Sequence, residues 1–156
     1  GDAELSELVE ELREQGYLKR EKGAKKTKKQ EVSNPMCFQA SDGCARIYVG
    51  KNNRQNDTLT LRFAEGEDIW MHTKNIHVII KCNGEPSDQT LHEAAMLAAY
   101  YSRARGGANV PVDYTPRKYV KKPAGAKPGM VIYSTNRTAY VTPEEALIKT
   151  LRPVAP

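Results

Sequence analysis

Between two apolar-alternating segments, RIYV (46–49) and TLTLRF (58–63), the chain places the polar stretch GKNNRQND (50–57). Amide and guanidinium groups suit bidentate hydrogen bonding to base edges and phosphates. Asn and Asp also cap turns through their own backbone, so Asn56 or Asp57 could simply start a helix at 58. That accounts for the end of the stretch. Lys51, Asn53, Arg54 and Gln55 are left as groups for nucleotide contact.

A second concentration of such groups runs from Arg103 to Arg137. It holds Arg103, Arg105, Arg117, Lys118, Lys121, Lys122, Lys127 and Arg137, opposed only by Asp113 and interleaved with Tyr114, Tyr119 and Tyr133. Basic groups alternating with aromatics suit a phosphate backbone beside unstacked bases. The plainer alternative is a solvated face with tyrosines in the core. PAGAKPG (123–129) reads as a turn in which one glycine permits close backbone approach.

Other chemistry is poorly served. His72, His77 and His92, taken with Cys37, Cys44 and Cys82, have no CxxC or HxxxH spacing, so no metal site is expected. Asp68 and His72 around Trp70 suggest acid–base work, but no nucleophile motif or Gly-rich phosphate loop accompanies them. The domain is expected to be non-enzymatic, to need no cofactor, and to hold Trp70 in its core or rim.

Charge points to polyanions. The formal net charge is +5 over 156 residues. The first fifteen residues carry Asp2, Glu4, Glu7, Glu10, Glu11 and Glu14 against Arg13 alone, so the remainder is about +10. Three cysteines, an odd number, argue for a reducing cytoplasm over a disulfide framework. No apolar run is long enough to span a membrane, and GDAELSELVEEL lacks the features of a secretory signal.

The elements that must position these groups are partly legible. Leu5, Leu8, Val9 and Leu12 form one apolar stripe on an acidic helix (1–18) that reads as the end of a coiled-coil arm. Residues 19–35 read as a lysine-rich linker, 36–150 as the globular domain and 151–156 as a tail. MCFQASDGCARIYVG predicts a hairpin, and DIWMHT (68–73) and HVIIKC (77–82) predict strands. TLTLRFA fits strand or helix equally. A helix is predicted over 88–105, with Thr90 and Glu93 as a capping box and Ala94, Ala95, Ala98 and Ala99 allowing close approach to a sheet. A final hairpin over 129–143 is predicted to turn at Asn136-Arg137. The expected fold is α+β: a largely antiparallel sheet carrying one long Ala-rich helix.

Five blocks in one order carry a resemblance: YVGKNNRQND; DIWMHTKNI with HVIIKCNGE; LHEAAMLAAYYSRAR; VPVDYTPRKYVKKPAGAKPGMVIY; and YVTPEE. Together they resemble the NFACT RNA-binding domain, the C-terminal module of bacterial fibronectin-binding protein A homologues, over about residues 36–145. The resemblance implies a module of a cytoplasmic, ribosome-associated quality-control factor. Its partners would be tRNA, the large ribosomal subunit and the other domains of the full-length protein. The whole protein would recruit alanyl-tRNA for C-terminal alanine tailing of stalled chains. The contact set is then Lys51, Asn53, Arg54 and Gln55 for nucleotides, Arg117, Lys118, Lys121, Lys122 and Lys127 for phosphate, and His72 and Lys74 on the same face. The alternative implied by relatives is a cell-surface adhesin for fibronectin. One departure concerns the family's Pro-Gly-Ser turn: here Ile76 runs directly into His77, so no role is carried onto His77.

Overall fold

The computed structural model describes residues 34–156. In chain order its strands are β1 (Met36–Gln39), β2 (Ala45–Gly50), β3 (Ile69–Thr73), β4 (Ile76–Cys82), β5 (Val110–Pro116), β6 (Val120–Lys121), β7 (Ile132–Tyr133), β8 (Arg137–Val141) and β9 (Arg152–Pro153). Its helices are α1 (Asn53–Asp57), α2 (Asp88–Tyr101) and α3 (Glu145–Thr150), and α1 runs on into a π-helical stretch, Thr58–Phe63. Seven strands form one sheet in the order β8-β5-β3-β4-β2-β1-β9, and β6 and β7 form a separate ribbon. Every pairing is antiparallel. The architecture is the α+β fold expected.

Strand alternation sorts the side chains to two faces. Ile47, Val49, Met71, Val78, Ile80 and Val112 share one apolar core with α2. There Ala94, Ala95, Ala98 and Ala99 have no exposed surface, as the small-residue pattern predicted. The opposite face presents Cys37, Tyr48, Trp70 and Ile79 to Leu59 and Val120, with Tyr133 packed against them. β4 is therefore covered on both sides, which accounts for its unbroken apolar run.

Several expectations need correction. The cap of α2 is Ser87, whose hydroxyl accepts from Thr90 N, rather than a Thr90–Glu93 box. Tertiary partners take both of those residues. Thr90 Oγ1 bonds Asp42 Oδ2 at 3.1 Å, and Glu93 accepts from the backbone and hydroxyl of Ser41 in the β1–β2 turn. α2 ends at Tyr101, short of Arg103 and Arg105, with Ser102 Oγ donating to Ala99 O. TLTLRF resolves as helix, burying Leu59 and Thr60.

The hairpin over 129–143 does not form. β7 pairs with β6, whereas β8 pairs with β5. Between them Thr135 takes a left-handed φ of 56°, and Thr115 Oγ1 donates to the carbonyls of Ser134 and Thr135. Those bonds steer the chain from one sheet to the other. β4 runs without interruption through Ile76 and His77, and Lys74-Asn75 closes a two-residue turn with Lys74 at φ 45°. The final residues set apart as a tail supply edge strand β9 against β1. The amphipathic helix and nearly all of the lysine linker lie outside the described residues. Among the described residues, no helix is long and apolar enough to cross a membrane.

Ala98→Leu should overpack the α2–sheet contact and cost about 1–3 kcal/mol, read as a lower urea midpoint at unchanged slope. An unshifted midpoint would mean that α2 does not lie this close to the sheet.

Candidate nucleic-acid interface

The stretch 50–57 folds into an amide-rich plug. α1 starts earlier than expected, with Asn52 as its cap accepting from Gln55 N at 2.9 Å, rather than Asn56 or Asp57. Gln55 is buried; its Oε1 accepts from Lys51 N at 3.1 Å and its Nε2 donates to Asn34 O at 3.3 Å. Asn56 donates to Asn75 O at 2.8 Å and accepts from His77 N at 3.3 Å, pinning the β3–β4 turn. Asp57 Oδ1 accepts from Gly129 N at 2.9 Å and from Lys122 Nζ at 3.4 Å, pinning the 123–129 loop.

Two glycines make room for these amides. A Cβ at Gly50 would run into Asn56 Oδ1, and one at Gly129 would sit 2.6 Å from Asn53 Oδ1. Gly129 also has φ +82°, and so supplies the close approach anticipated within PAGAKPG. Asn53 and Gln55, assigned to nucleotides from sequence, thus lie 6% and 4% exposed inside the fold. Lys51 is exposed and Arg54 half-buried at the rim of the plug.

Beneath the ribbon lies a polar–aromatic layer. Trp70, fully buried, donates Nε1–H to Thr60 Oγ1 at 3.1 Å, and that hydroxyl lies 2.9 Å from His77 Nδ1. Thr60 Oγ1 thus ties the indole to the imidazole, and the direction of its bond with Nδ1 follows the tautomer of His77. Burial pushes His77 well below the ordinary histidine range. His72 stacks on Trp70 at 5.6 Å, and burial lowers it too, against a smaller opposing pull from Asp113. Both imidazoles are therefore neutral at pH 7 and add no charge to the surface. Tyr133 covers Trp70 at 4.7 Å and donates to Asp113 Oδ2 at 2.5 Å. Burial first, then the Asp113 contact, pushes its phenol up to about 12.

The sheet topology sorts charge to its two ends. Gly50 pairs with His77 and Thr73 with Ile76, so Lys51 and Lys74 leave the same end of the sheet. Arg103 and Arg105 follow α2 there, next to Lys51, whose ammonium lies 5.9 Å from the Tyr101 ring. Through Asp57 the plug holds Lys122 and, by the Lys122 Nζ bond to Lys127 O, the backbone of Lys127 at this end. The opposite end carries Asp42, Glu65, Glu67, Asp68, Glu85 and Asp88, around the β1–β2 turn and the start of α2. There Lys81 pairs with Asp68 at 2.5 Å and Lys118 with Glu67 at 2.9 Å.

The structure therefore divides the contact set. Lys51, Arg54, Lys74, Lys122 and Lys127 gather at the basic end. Lys118 sits at the acidic end beside its Glu67 partner. Arg117 is a staple, its Nε donating to Thr60 O and its Nη1 to Val120 O at 2.9 Å. His72 lies half-buried under Tyr133, and Lys121 is exposed on the ribbon opposite Ile132. Sequence reasoning gave no organising role to Asp57 or Thr60. Asp57 and Gly129 are 72 positions apart, and no local spacing signals such a contact. Among the described residues no His, Cys, Asp and Glu cluster could hold a metal ion.

Comparisons with known proteins identify the family. Residues 34–135 match the family described as the NFACT protein RNA binding domain. The chain is 50% identical over 146 residues to the Rqc2 homolog RqcH of Bacillus subtilis (strain 168), covering 90% of this chain and 25% of that protein. It is 46% identical over 153 residues to the Rqc2 homolog RqcH of Streptococcus suis (strain 05ZYH33), covering 96% and 27%. The chain thus spans about a quarter of the length of these relatives. A solved structure of the C-terminal of the fibronectin/fibrinogen-binding protein from Streptococcus suis superposes with a TM-score of 0.79 at 44% identity. That match covers 96% of this chain and 60% of the other.

Two outcomes test the geometry. Gly129→Ala should cost about 1–2 kcal/mol through its left-handed backbone and the Asn53 clash, and should raise amide exchange over 122–130 before the sheet. Equal exchange would detach the loop from the plug. Tyr133 should titrate near pH 12 by ultraviolet absorbance, so its stabilisation is full below pH 10 and lost as pH rises from 10 through about 12. A Tyr133 titration at pH 10 would remove the Asp113 bond.

Proposed function

This chain belongs to the NFACT RNA-binding domain family, and from that premise we propose that its basic end grips the phosphate backbone of tRNA and of large-subunit ribosomal RNA. The observation carrying this reading is the polarity of the sheet. Lys51, Arg54, Lys74, Lys122 and Lys127, scattered in sequence, converge at one end, and most acids among the described residues converge at the other. Lys51 and Lys74 lack a carboxylate partner among the described residues, so their charge remains available to phosphate. Binding of this kind is sequence-independent, steered over distance and steeply salt-dependent.

In the full-length protein the domain would help hold a quality-control factor on an obstructed, ribosome-associated large subunit, where alanyl-tRNA is recruited for C-terminal alanine tailing. The names of the curated relatives, each an Rqc2 homolog, support the quality-control setting alone. The domain itself would act by binding alone, without catalysis or cofactor. Neutral His72 and half-buried Arg117 would shape the surface without touching phosphate, and Asn53 and Gln55 would hold the plug that presents Arg54 and Lys51.

A second reading draws on the solved Streptococcus suis relative, whose title describes a fibronectin/fibrinogen-binding protein. On that reading the outer edge of β8, which pairs only with β5 among the described residues, would take an added strand of fibronectin. Excess tRNA separates the two, because an adhesin site independent of RNA would survive it.

Deacylated tRNA binding, followed from low to high salt, should weaken for Lys74→Gln and Lys127→Gln, each reducing the log–log salt slope by about 0.7–0.9. Lys118→Gln, at the acidic end, should leave both affinity and slope unchanged. Equal losses at both ends would disperse the interface over the whole surface and reject the polarity argument.

A further inference from the structure

α2 ends in a pair of tyrosines that do more than close the core. Tyr100 and Tyr101 meet edge to face with centroids 5.0 Å apart, and Phe38 stacks behind Tyr101 at 6.3 Å. A cation sits over each ring: Lys51 Nζ lies 5.9 Å from the Tyr101 centroid, and the Arg105 guanidinium carbon 4.2 Å from that of Tyr100. Arg105 Nε also donates to Tyr100 O at 2.9 Å. Lys51, Tyr101, Tyr100 and Arg105 thus form one unbroken row around the helix-side rim of the basic end.

What holds these cations matters. Lys81, Lys118, Lys122 and Lys149 each pair with a carboxylate, which cancels their charge locally. A ring orients a cation without neutralising it. Arg105 has no carboxylate partner among the described residues, and its terminal amino groups make no hydrogen bond there. The guanidinium is held in place by the ring and the carbonyl, so little side-chain entropy remains to be lost on binding. Glu145 accepts from the Tyr100 hydroxyl at 3.4 Å and is shared with Lys149.

From this arrangement we infer a second phosphate-binding strip, Lys51–Tyr101–Tyr100–Arg105, on the α2 side of the domain. It rests on the RNA-binding reading and extends it. An RNA backbone held by Lys74 and the 123–129 loop on the ribbon side would continue past Lys51 onto the helix side. Because both rings are occupied by cations, the strip reads phosphate and stacks no base. Its contribution is the same for every sequence. Arg105 is the contacting group, and Tyr100 is a positioning residue.

The test uses the full chain with two fluorescent probes, a 20-nucleotide oligouridylate and an RNA hairpin, each titrated across a salt series. Arg105→Gln should weaken both by about threefold to tenfold and lower the salt slope by about 0.7–0.9, whereas Arg105→Lys keeps the slope. Tyr100→Leu should weaken binding with the slope preserved, since the charge remains but its placement is lost. Circular dichroism melts confirm that the variants are folded. Unchanged affinity and slope for Arg105→Gln, with Lys74→Gln still impaired, would overturn the strip and leave the RNA-binding reading intact. If the wild-type chain binds neither probe at low salt, both are overturned.

Discussion

The amide plug at 52–57 is the constraint on which the rest of the surface depends. Asn53, Gln55 and Asn56 are buried, and buried amides must find partners or cost about 1–3 kcal/mol each. Gln55 and Asn56 find them on segments that share no local sequence: Asn34, the β3–β4 turn and the start of β4. Asp57, next in line, takes the 123–129 loop. The contacts at Gly50 and Gly129 admit no larger residue, so the plug fits only when β2, the turn and the loop arrive together. Lys51, Lys74 and Lys127 are carried by those same segments. The positions of the cations are thus a by-product of satisfying the amides.

The same economy applies to charge. An antiparallel sheet with short turns has two ends, and every turn or helix terminus belongs to one of them. Acidic turns flank the start of α2 and basic ones its end, so both match the helix dipole. Asp42 shows the coupling directly, since it accepts from Ser87 and Thr90 in the first turn of α2. The bond from Cys44 N first, then those from Ser87 and Thr90, hold its carboxyl below the usual range. An arrangement that stabilises the helix therefore also gives the domain an electrostatic direction, which steers a polyanion to one end.

How much of this could be read in advance follows from the range of each interaction. The β1–β2 hairpin, β3, β4 and the alanine face of α2 rest on local periodicity and burial, and periodicity is visible in sequence. The cap of α2 differs from the expected one because Thr90 and Glu93 have the spacing of a capping box, but Asp42 and Ser41 across the turn outcompete that local pairing. The 129–143 hairpin failed for the same reason, since Val120 and Asp113 claim its two arms for different sheets. In the site, residue type was legible and role was not. In GKNNRQND the buried amides serve the fold, while Lys51 stays exposed and Arg54 half-buried.

A basic residue's role is therefore read from its partner rather than from its neighbours in sequence. Arg117 and Lys118 are adjacent, and both side chains are engaged within the domain instead of standing unpartnered as the basic run implied. One is spent on two internal carbonyls and the other on Glu67. Arg105, outside the contact set drawn from sequence, is held by an aromatic ring and not by a carboxylate, so no opposite charge offsets it there. Loss of Arg117 would loosen the strand-to-ribbon junction over Thr60 and so disturb RNA binding without any contact to RNA. The salt slope separates these cases. A structural cation changes affinity alone, whereas a phosphate-bound cation changes affinity and slope together, because only the latter releases a counterion when RNA binds.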